Sequence, residues 1–141
     1  MKIYIGSDHA GVDLKASIIE HFGDQFIFVD EGTLSHDSVD YPDFAHAVAD
    51  NVLKDCGSLG ILICGTGNGM AITANKHAGI RAALCWAPEI AALAKQHNNA
   101  NVVVLPARFI STENAFLTLK AFLEAEFEGG RHQRRIDKIN L

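Results

Sequence analysis

The run Leu59–Cys64, LGILIC, carries no polar side chain and shows no alternation between apolar and polar positions. A strand of that kind is buried on both faces, so helices must cover it above and below and its neighbours should run parallel. The rest of the chain supplies those partners in order. Ile3-Tyr4-Ile5 reads as a strand that stops at Gly6, and Leu14, Ile18 and Phe22 then recur at helical spacing. Phe26 to Val29 reads as a second strand. Pro42 suits the first turn of a helix that continues through Phe44, Val48 and Val52. After Leu59–Cys64 comes a glycine loop, then a small-residue helix through Ala71, Ala74 and Asn75. Ile80 to Cys85 is expected as the fourth strand, and Pro88 starts a helix whose buried face carries Ile90, Leu93 and Ala94. Val102 to Leu105 is the fifth strand, and Ser111 caps a helix with Phe116, Leu119 and Leu123 on one face. Strands alternating with helices through short connections predict an α/β fold with a parallel sheet and helices on both faces.

The chain has 141 residues, which suits one domain over 1–141 with a sizeable buried core. Hydrophobic residues make up 48%, too many for a disordered chain. A net charge of -5 argues against a nucleic-acid or membrane surface as the main partner. It leaves room for a small anion, since one local basic cluster suffices to hold a phosphate. The basic tail 128–141, EGGRHQRRIDKINL, is such a cluster, with Arg131, Arg134, Arg135 and Lys138. Taken alone, that tail reads as a solvated face. Only Ile136 and Ile139 could anchor it, so it is also a candidate to pack on a partner subunit. Cys56, Cys64 and Cys85 are odd in number and lack a CxxC pair, so neither a disulfide framework nor a structural zinc site is expected. With no signal-peptide pattern and no apolar run near 18 residues, the expected compartment is the cytoplasm.

Ligands of parallel α/β sheets sit outside the carboxyl ends of the strands. Here those ends carry Ser7-Asp8-His9, Cys64-Gly65-Thr66, Trp86 and Pro106-Ala107-Arg108. The loop Cys64-Gly65-Thr66-Gly67-Asn68-Gly69 is built to approach an anion, because glycines bring the backbone close and leave amides free. Its spacing is G-x-G-x-G, not the G-x-G-x-x-G of dinucleotide sites, and Cys85-Trp86 stands where an acidic ribose ligand would be needed. Thiols at helix N-termini ionise more readily than free ones, and a thiolate can act as a general base. Cys64 is therefore the candidate reactive cysteine, with Thr66 near enough in sequence to hydrogen-bond it. Cys56 and Cys85 are expected as small buried hydrophobes.

The segments SDHAG, DYPDFA, ILICGTGNGM, ANKHAGIRA, HNNANV and EGGRHQRRI occur in that order over nearly the whole chain. Together they resemble the ribose-5-phosphate isomerase B family, which also contains allose-6-phosphate and galactose-6-phosphate isomerases. The resemblance implies a three-layer α/β/α sandwich, a Rossmann-like parallel five-stranded sheet without a nucleotide. It implies isomerisation of ribose 5-phosphate and ribulose 5-phosphate through a cis-enediolate, with no metal and no cofactor. It also implies a homodimer or dimer of dimers whose active sites draw on both subunits.

Residue by residue, the resemblance makes Cys64 the group that moves the proton between C2 and C1, with Thr66 supporting the thiol. The backbone at Gly65, Gly67, Asn68 and Gly69 would hold the enediolate oxygen, and His97 would help open the furanose. Asp8, Tyr41 and Asn98 would bind sugar hydroxyls. His9, Arg108, Arg131 and Arg135 would hold the phosphate, some of them from the partner chain. Some relatives lack the cysteine and place a glutamate one turn into the next helix; that position here is Met70, which cannot act as a base. Arg134 stands where many relatives are neutral, so either Arg134 or Arg135 could be the second phosphate ligand, with the family pattern favouring Arg135. Asn68 replaces a branched apolar residue, which leaves the preferred sugar open between five and six carbons.

Without the family, several of these residues have plainer readings. His97 would be a helix C-terminal histidine interacting with the dipole. Asp40, Pro42 and Asp43 would be a turn into a helix. His21, His36, His46 and His77 read as surface or capping residues, and His132 falls near the phosphate only by its place in GGRH. Two other function classes fit less well: a non-catalytic sensor of a phosphorylated metabolite, which would need neither Cys64 nor His97, and a nucleotide-binding module, disfavoured by the glycine spacing.

Overall fold

A computed structural model describes residues 1–140 of the chain; Leu141, the last position of the basic tail, lies outside the described residues. Five parallel strands form one sheet: β1 (Lys2–Ser7), β2 (Ile27–Asp30), β3 (Leu59–Cys64), β4 (Ala82–Leu84) and β5 (Val102–Pro106), in the order β2-β1-β3-β5-β4. The helices are α1 (Val12–Phe22), α2 (Tyr41–Lys54), α3 (Asn68–Ala74), α4 (Pro88–Asn98), α5 (Thr112–Glu124) and α6 (Arg131–Asp137). This is the α/β/α sandwich with a Rossmann-like sheet that the sequence implied.

Period-two alternation along the buried strands splits the core into two layers. Ile61 and Ile63 of β3 face Ile18 and Phe22 of α1, Ala91 of α4, and Leu119 and Phe122 of α5. Leu62 and Cys64 face the other way, toward Val48 and Val52 of α2 and Met70 and Ala74 of α3. Both layers are closed, which is what the unbroken apolar run of β3 requires. Gly60 lets α2 press close: a Cβ there would stand 2.9 Å from Val48 Cγ1 and 3.0 Å from Val102 Cγ2.

Four details depart from the sequence reading. β1 continues through Gly6 to Ser7, so it delivers Asp8 directly to the sheet's edge. β4 spans only Ala82–Leu84, because Ile80 is held in a turn by its amide donating to His77 O (3.1 Å). Leu93 is 45% exposed; α4 buries Ala91 and Ala94 instead, against α5. Cys56 is exposed and no core hydrophobe, since it sits in the turn closed by Ser58 N–H to Asp55 O (3.0 Å). Cys85 is buried as expected, and burial pushes its thiol up to about 12.

The chain leaves β1 toward β2 and leaves β3 in the opposite direction, so the crevice between the carboxyl ends of β1 and β3 is the topological switch point. No helix among the described residues is long and apolar enough to cross a membrane.

Candidate functional site

The switch point gathers most of the expected residues. Asp8 follows β1, and its amide donates to Ile63 O (3.1 Å), which locks it beside the end of β3. Its Oδ1 accepts from Ala10 N–H (2.9 Å) and so caps the 3-10 turn His9–Gly11. His9 Nδ1 accepts from Val39 N–H (3.3 Å), which puts the proton of the neutral ring on Nε2 and leaves Nε2 as a donor. The loop that carries Val39 is held at its start by Lys15, which is 2% exposed. Lys15 Nζ donates to Asp30 Oδ1 (2.5 Å) and to Thr33 O (2.7 Å).

Cys64 ends β3 and is buried, with its backbone clamped by Ala107 N–H donating to Cys64 O (2.9 Å). The loop beyond it turns sharply at Gly67, at φ 79°. A Cβ there would collide with Leu84 Cδ1, so the position is closed to other residues by backbone and by packing. Among the described residues, no acceptor takes the amides of Gly65, Thr66 or Gly67. Three donors are thus free in the loop that follows Cys64. Asn68 and Gly69 open α3, which is only seven residues long.

Two side chains line this loop by lying on glycines. Arg108 donates its own amide to Gly65 O (3.0 Å) and folds back, so that a Cβ on Gly65 would stand 3.0 Å from its Nη1. The Tyr41 ring lies over Gly69, where a Cβ would stand 2.5 Å from Tyr41 Cζ. Thr66 is exposed, and its Oγ1 accepts from Asn68 N–H (3.2 Å); no bond between Thr66 and the Cys64 thiol is formed, because the hydroxyl is turned into the loop's own turn. Beside the loop, Thr66, Asn68, Leu84, Trp86, Pro106 and Phe109 surround an open hollow of about 470 Å³. Trp86 and Phe109 are 52% and 73% exposed there, an apolar rim with nothing over it.

The remaining expected residues are elsewhere. α4 starts past the carboxyl end of β4 and runs back, so His97 and Asn98 finish at the amino edge of the sheet. At about 3.3 Å per residue, the five residues of β5 separate the two edges by roughly 17 Å. The basic tail forms α6, an unpredicted helix, and packs on α4 at that same far edge. There His97, Asn98, His132, Arg135, Ile136 and Ile139 line a cavity of about 340 Å³. Arg131, Arg134 and Arg135 are all exposed, and Arg135, not Arg134, faces this cavity. A larger hollow of about 610 Å³ follows the free edge of β4 and includes Arg81, Asn98 and Ile139, but none of the loop residues.

Two residues shape this second cluster that the sequence reading passed over. Arg81 Nε donates to Asn98 O and Asn99 O (both 3.0 Å) and so caps the end of α4 where His97 and Asn98 sit. Glu128 donates its amide to Gln96 O (3.0 Å), which brings its carboxylate to His97 Nε2 (3.8 Å) and His132 Nε2 (3.5 Å). Its place in EGGRH was the available signal. His132 is 5% exposed and its ring stacks on His97, centroids 4.2 Å apart. Burial, and then the neighbouring His97 and Arg131, hold the His132 pKa below its ordinary value, with Arg135 adding to the effect and Glu128 opposing it.

A thiol against unpaired amides is suited to moving a proton next to a carbonyl, and arginines at both edges are suited to a phosphate. The α/β/α fold and these groups define an enzyme of the aldose–ketose isomerase class. The chain belongs to the ribose/galactose isomerase family, whose model matches residues 3–139, and is of the ribose-5-phosphate isomerase type. It is 45% identical to the ribose-5-phosphate isomerase B of Escherichia coli, over 98% of this chain and 93% of that one. Its structure superposes on a ribose 5-phosphate isomerase from Thermotoga maritima with a TM-score of 0.96, at 51% identity, covering 99% and 97% of the two chains. A Mycoplasma genitalium ribose-5-phosphate isomerase B, solved with bound ribulose-5-phosphate, superposes with a TM-score of 0.94 at 52% identity, covering 98% and 93%.

Proposed function

We propose that the chain interconverts ribose 5-phosphate and ribulose 5-phosphate, with Cys64 as the acid/base. The observation that carries this reading is the switch point itself: a buried Cys64 at the end of β3, three unpaired amides in the loop that follows it, Asp8 bonded to the same strand end, and Arg108 and Tyr41 lying on the loop's glycines. The 52% identical relative with bound ribulose-5-phosphate supports the choice of sugar.

In this mechanism the Cys64 thiolate takes the proton from C2 of the open aldose. The electron pair of that bond forms the C1=C2 double bond, and the charge passes to O1, where the amides of Gly65, Gly67 and Gly69 can donate to it, joined by that of Asn68 once it exchanges Thr66 Oγ1 for the substrate. Each such donor contributes a few kcal/mol to the transition state. The thiol returns the proton to C1 while the hydroxyl proton moves from O2 to O1, so nothing is oxidised or reduced overall. Asp8 and Tyr41 bind hydroxyls, and Thr66 orders the loop. Arg108 and His9 Nε2–H meet the phosphate, for which a guanidinium offers paired donors.

His97, Asn98, Arg131 and Arg135 belong to the same reaction but lie at the opposite sheet edge of their own chain. A second copy related by a two-fold axis brings that edge to the loop, and two equivalent sites result from one self-complementary contact. The uncovered rim of Trp86 and Phe109 is the surface such a copy would cover. The tail 128–141 then contributes to its partner's site, and a dimer of dimers would repeat the unit. Six-carbon sugar phosphates would use the same groups in a longer pocket beside Asn68.

Turnover of ribose 5-phosphate by the purified chain, with Cys64→Ala beside it, tests the reading. Conversion by the wild type and at least a roughly 100-fold loss in the variant, with sugar-phosphate binding retained, is the expected result. Substantial turnover by Cys64→Ala would remove the thiol from the mechanism. No turnover by folded wild-type protein would redirect the assay to allose 6-phosphate and galactose 6-phosphate.

A further inference from the structure

Behind His97 stand two groups that the isomerisation step does not use. Glu128 Oε1 lies 3.8 Å from His97 Nε2 and 3.5 Å from His132 Nε2. His132 Nε2 is buried and has no hydrogen-bond partner among the described residues, while its ring forms a wall parallel to the His97 ring within 11°. The three ligand atoms lie within 4.8 Å of one another, close enough for a metal ion. The stacking disfavours that use, because the nitrogen lone pairs lie in two parallel ring planes and do not converge on one point.

We propose instead that Glu128 is a positioning residue for His97, setting its ring orientation and tautomer for opening the furanose. The proposal rests on the isomerase reading above. His97 is 39% exposed, so nothing but its neighbours restrains its ring. His132 fixes the plane by stacking, and it does so as an uncharged wall. The Glu128 carboxylate, held by its backbone bond to Gln96, then selects the orientation in which Nε2 faces it, and a carboxylate beside a ring nitrogen keeps the proton on that nitrogen. Nε2 then carries the proton of the neutral ring toward Glu128, and Nδ1 is left bare for the substrate. Nδ1 takes the proton from O1 as that electron pair completes the C1 carbonyl and the C1–O4 bond breaks, and the Glu128 carboxylate offsets the imidazolium charge. Nδ1 then returns the proton to O4, so the ring's own proton count is unchanged at the end.

The two directions of the reaction separate this role from a structural one. Ribose 5-phosphate closes through its C4 hydroxyl and must be opened. Ribulose 5-phosphate carries phosphate on O5, cannot close a furanose on its C2 carbonyl, and enters open. Glu128→Gln should lower kcat from ribose 5-phosphate roughly tenfold and lower the consumption of ribulose 5-phosphate far less, because the open aldose formed from it can leave the site and close in water, with Glu128→Asp recovering part of the loss. In the free protein, the imidazole ¹⁵N resonances of His97 should move toward the other tautomer in Glu128→Gln. Equal losses in both directions, or no loss in either, overturn the proposal, as do unchanged His97 resonances. Should wild-type protein turn over neither sugar phosphate, the isomerase reading fails, and the resonances alone then decide whether Glu128 orients His97.

Discussion

The two edges of the sheet are built by different means. At the carboxyl edge, each functional group is fixed by the core: Cys64 ends a strand buried on both faces, Asp8 is 7% exposed, and Arg108 and Tyr41 lie on glycines. At the amino edge, His97 stands on the last turn of a surface helix, and Arg131 and Arg135 stand on a short exposed helix beyond two glycines. The first arrangement suits a step that tolerates little misplacement, such as proton transfer at carbon. The second suits binding and release of a charged substrate, which needs long cationic side chains in water more than it needs a fixed frame. Under the proposed reaction, a chain that owns both edges but cannot bring them together would need a second copy to complete either site.

Mixing experiments break that comparison most decisively. Cys64→Ala disables the carboxyl edge and Arg135→Ala weakens the amino edge, so each variant alone should turn over poorly. Co-refolded in equal amounts, they should recover about a quarter of wild-type turnover, since half the dimers would be mixed and each mixed dimer would hold one intact site. No recovery, with mixed dimers shown to form, would mean that each chain completes its own site.

Glycine substitutions sharpen the contrast by a smaller effect. Gly67→Ala meets both a positive φ and the Leu84 side chain, whereas a Cβ at Gly129, at φ 69°, has nothing within 4 Å. Gly67→Ala should therefore cost at least about 2 kcal/mol in urea unfolding, and Gly129→Ala about 1 kcal/mol from strain alone. Equal costs would show that the loop is no more constrained than the tail.

The smallest expected effect is a pH dependence at the amino edge. The His132 pKa lies below the ordinary 6.5, so the unfolded chain takes up this proton more readily than the folded one. The neutral ring's contribution to stability is full above about 6.5 and is lost as pH falls through the folded value. His132→Gln should flatten the acid side of the stability profile below about pH 6.5. An unchanged profile would mean that protonation of the buried ring carries no weight.

The carboxyl edge was legible in the sequence because hydrophobic runs and glycines both report on it. LGILIC announced a two-sided strand, and the glycines after it announced the sharp turn at Gly67. The amino edge was harder to read. RHQRRID has too little apolar periodicity to reveal a seven-residue helix, since Ile136 is its one apolar residue and the buried side chain is His132. Leu93 looked like a core residue by composition, yet α4 packs on α5 through alanines, and spacing alone does not say which side of a helix is covered. The separation of His97 from Cys64 could have been inferred. A helix that follows one parallel strand must run back toward the start of the next, so its last residues return to the opposite edge. The Glu128 carboxylate gave no topological signal beyond its place in EGGRH, because its position depends on a backbone bond to Gln96.

The order of the strands also bears on how the protein is made. β1 leaves the ribosome first, yet one of its two neighbours is β3: Ile3 pairs with Leu59, about 56 residues later. At roughly 5–20 residues per second, the first strand waits on the order of 3–11 s for that partner. During that interval Ile3 and Ile5 have only β2 beside them, and the strand that anchors Asp8 is an open edge. The nascent chain is therefore most exposed to misassociation before the loop that follows β3 has left the ribosome.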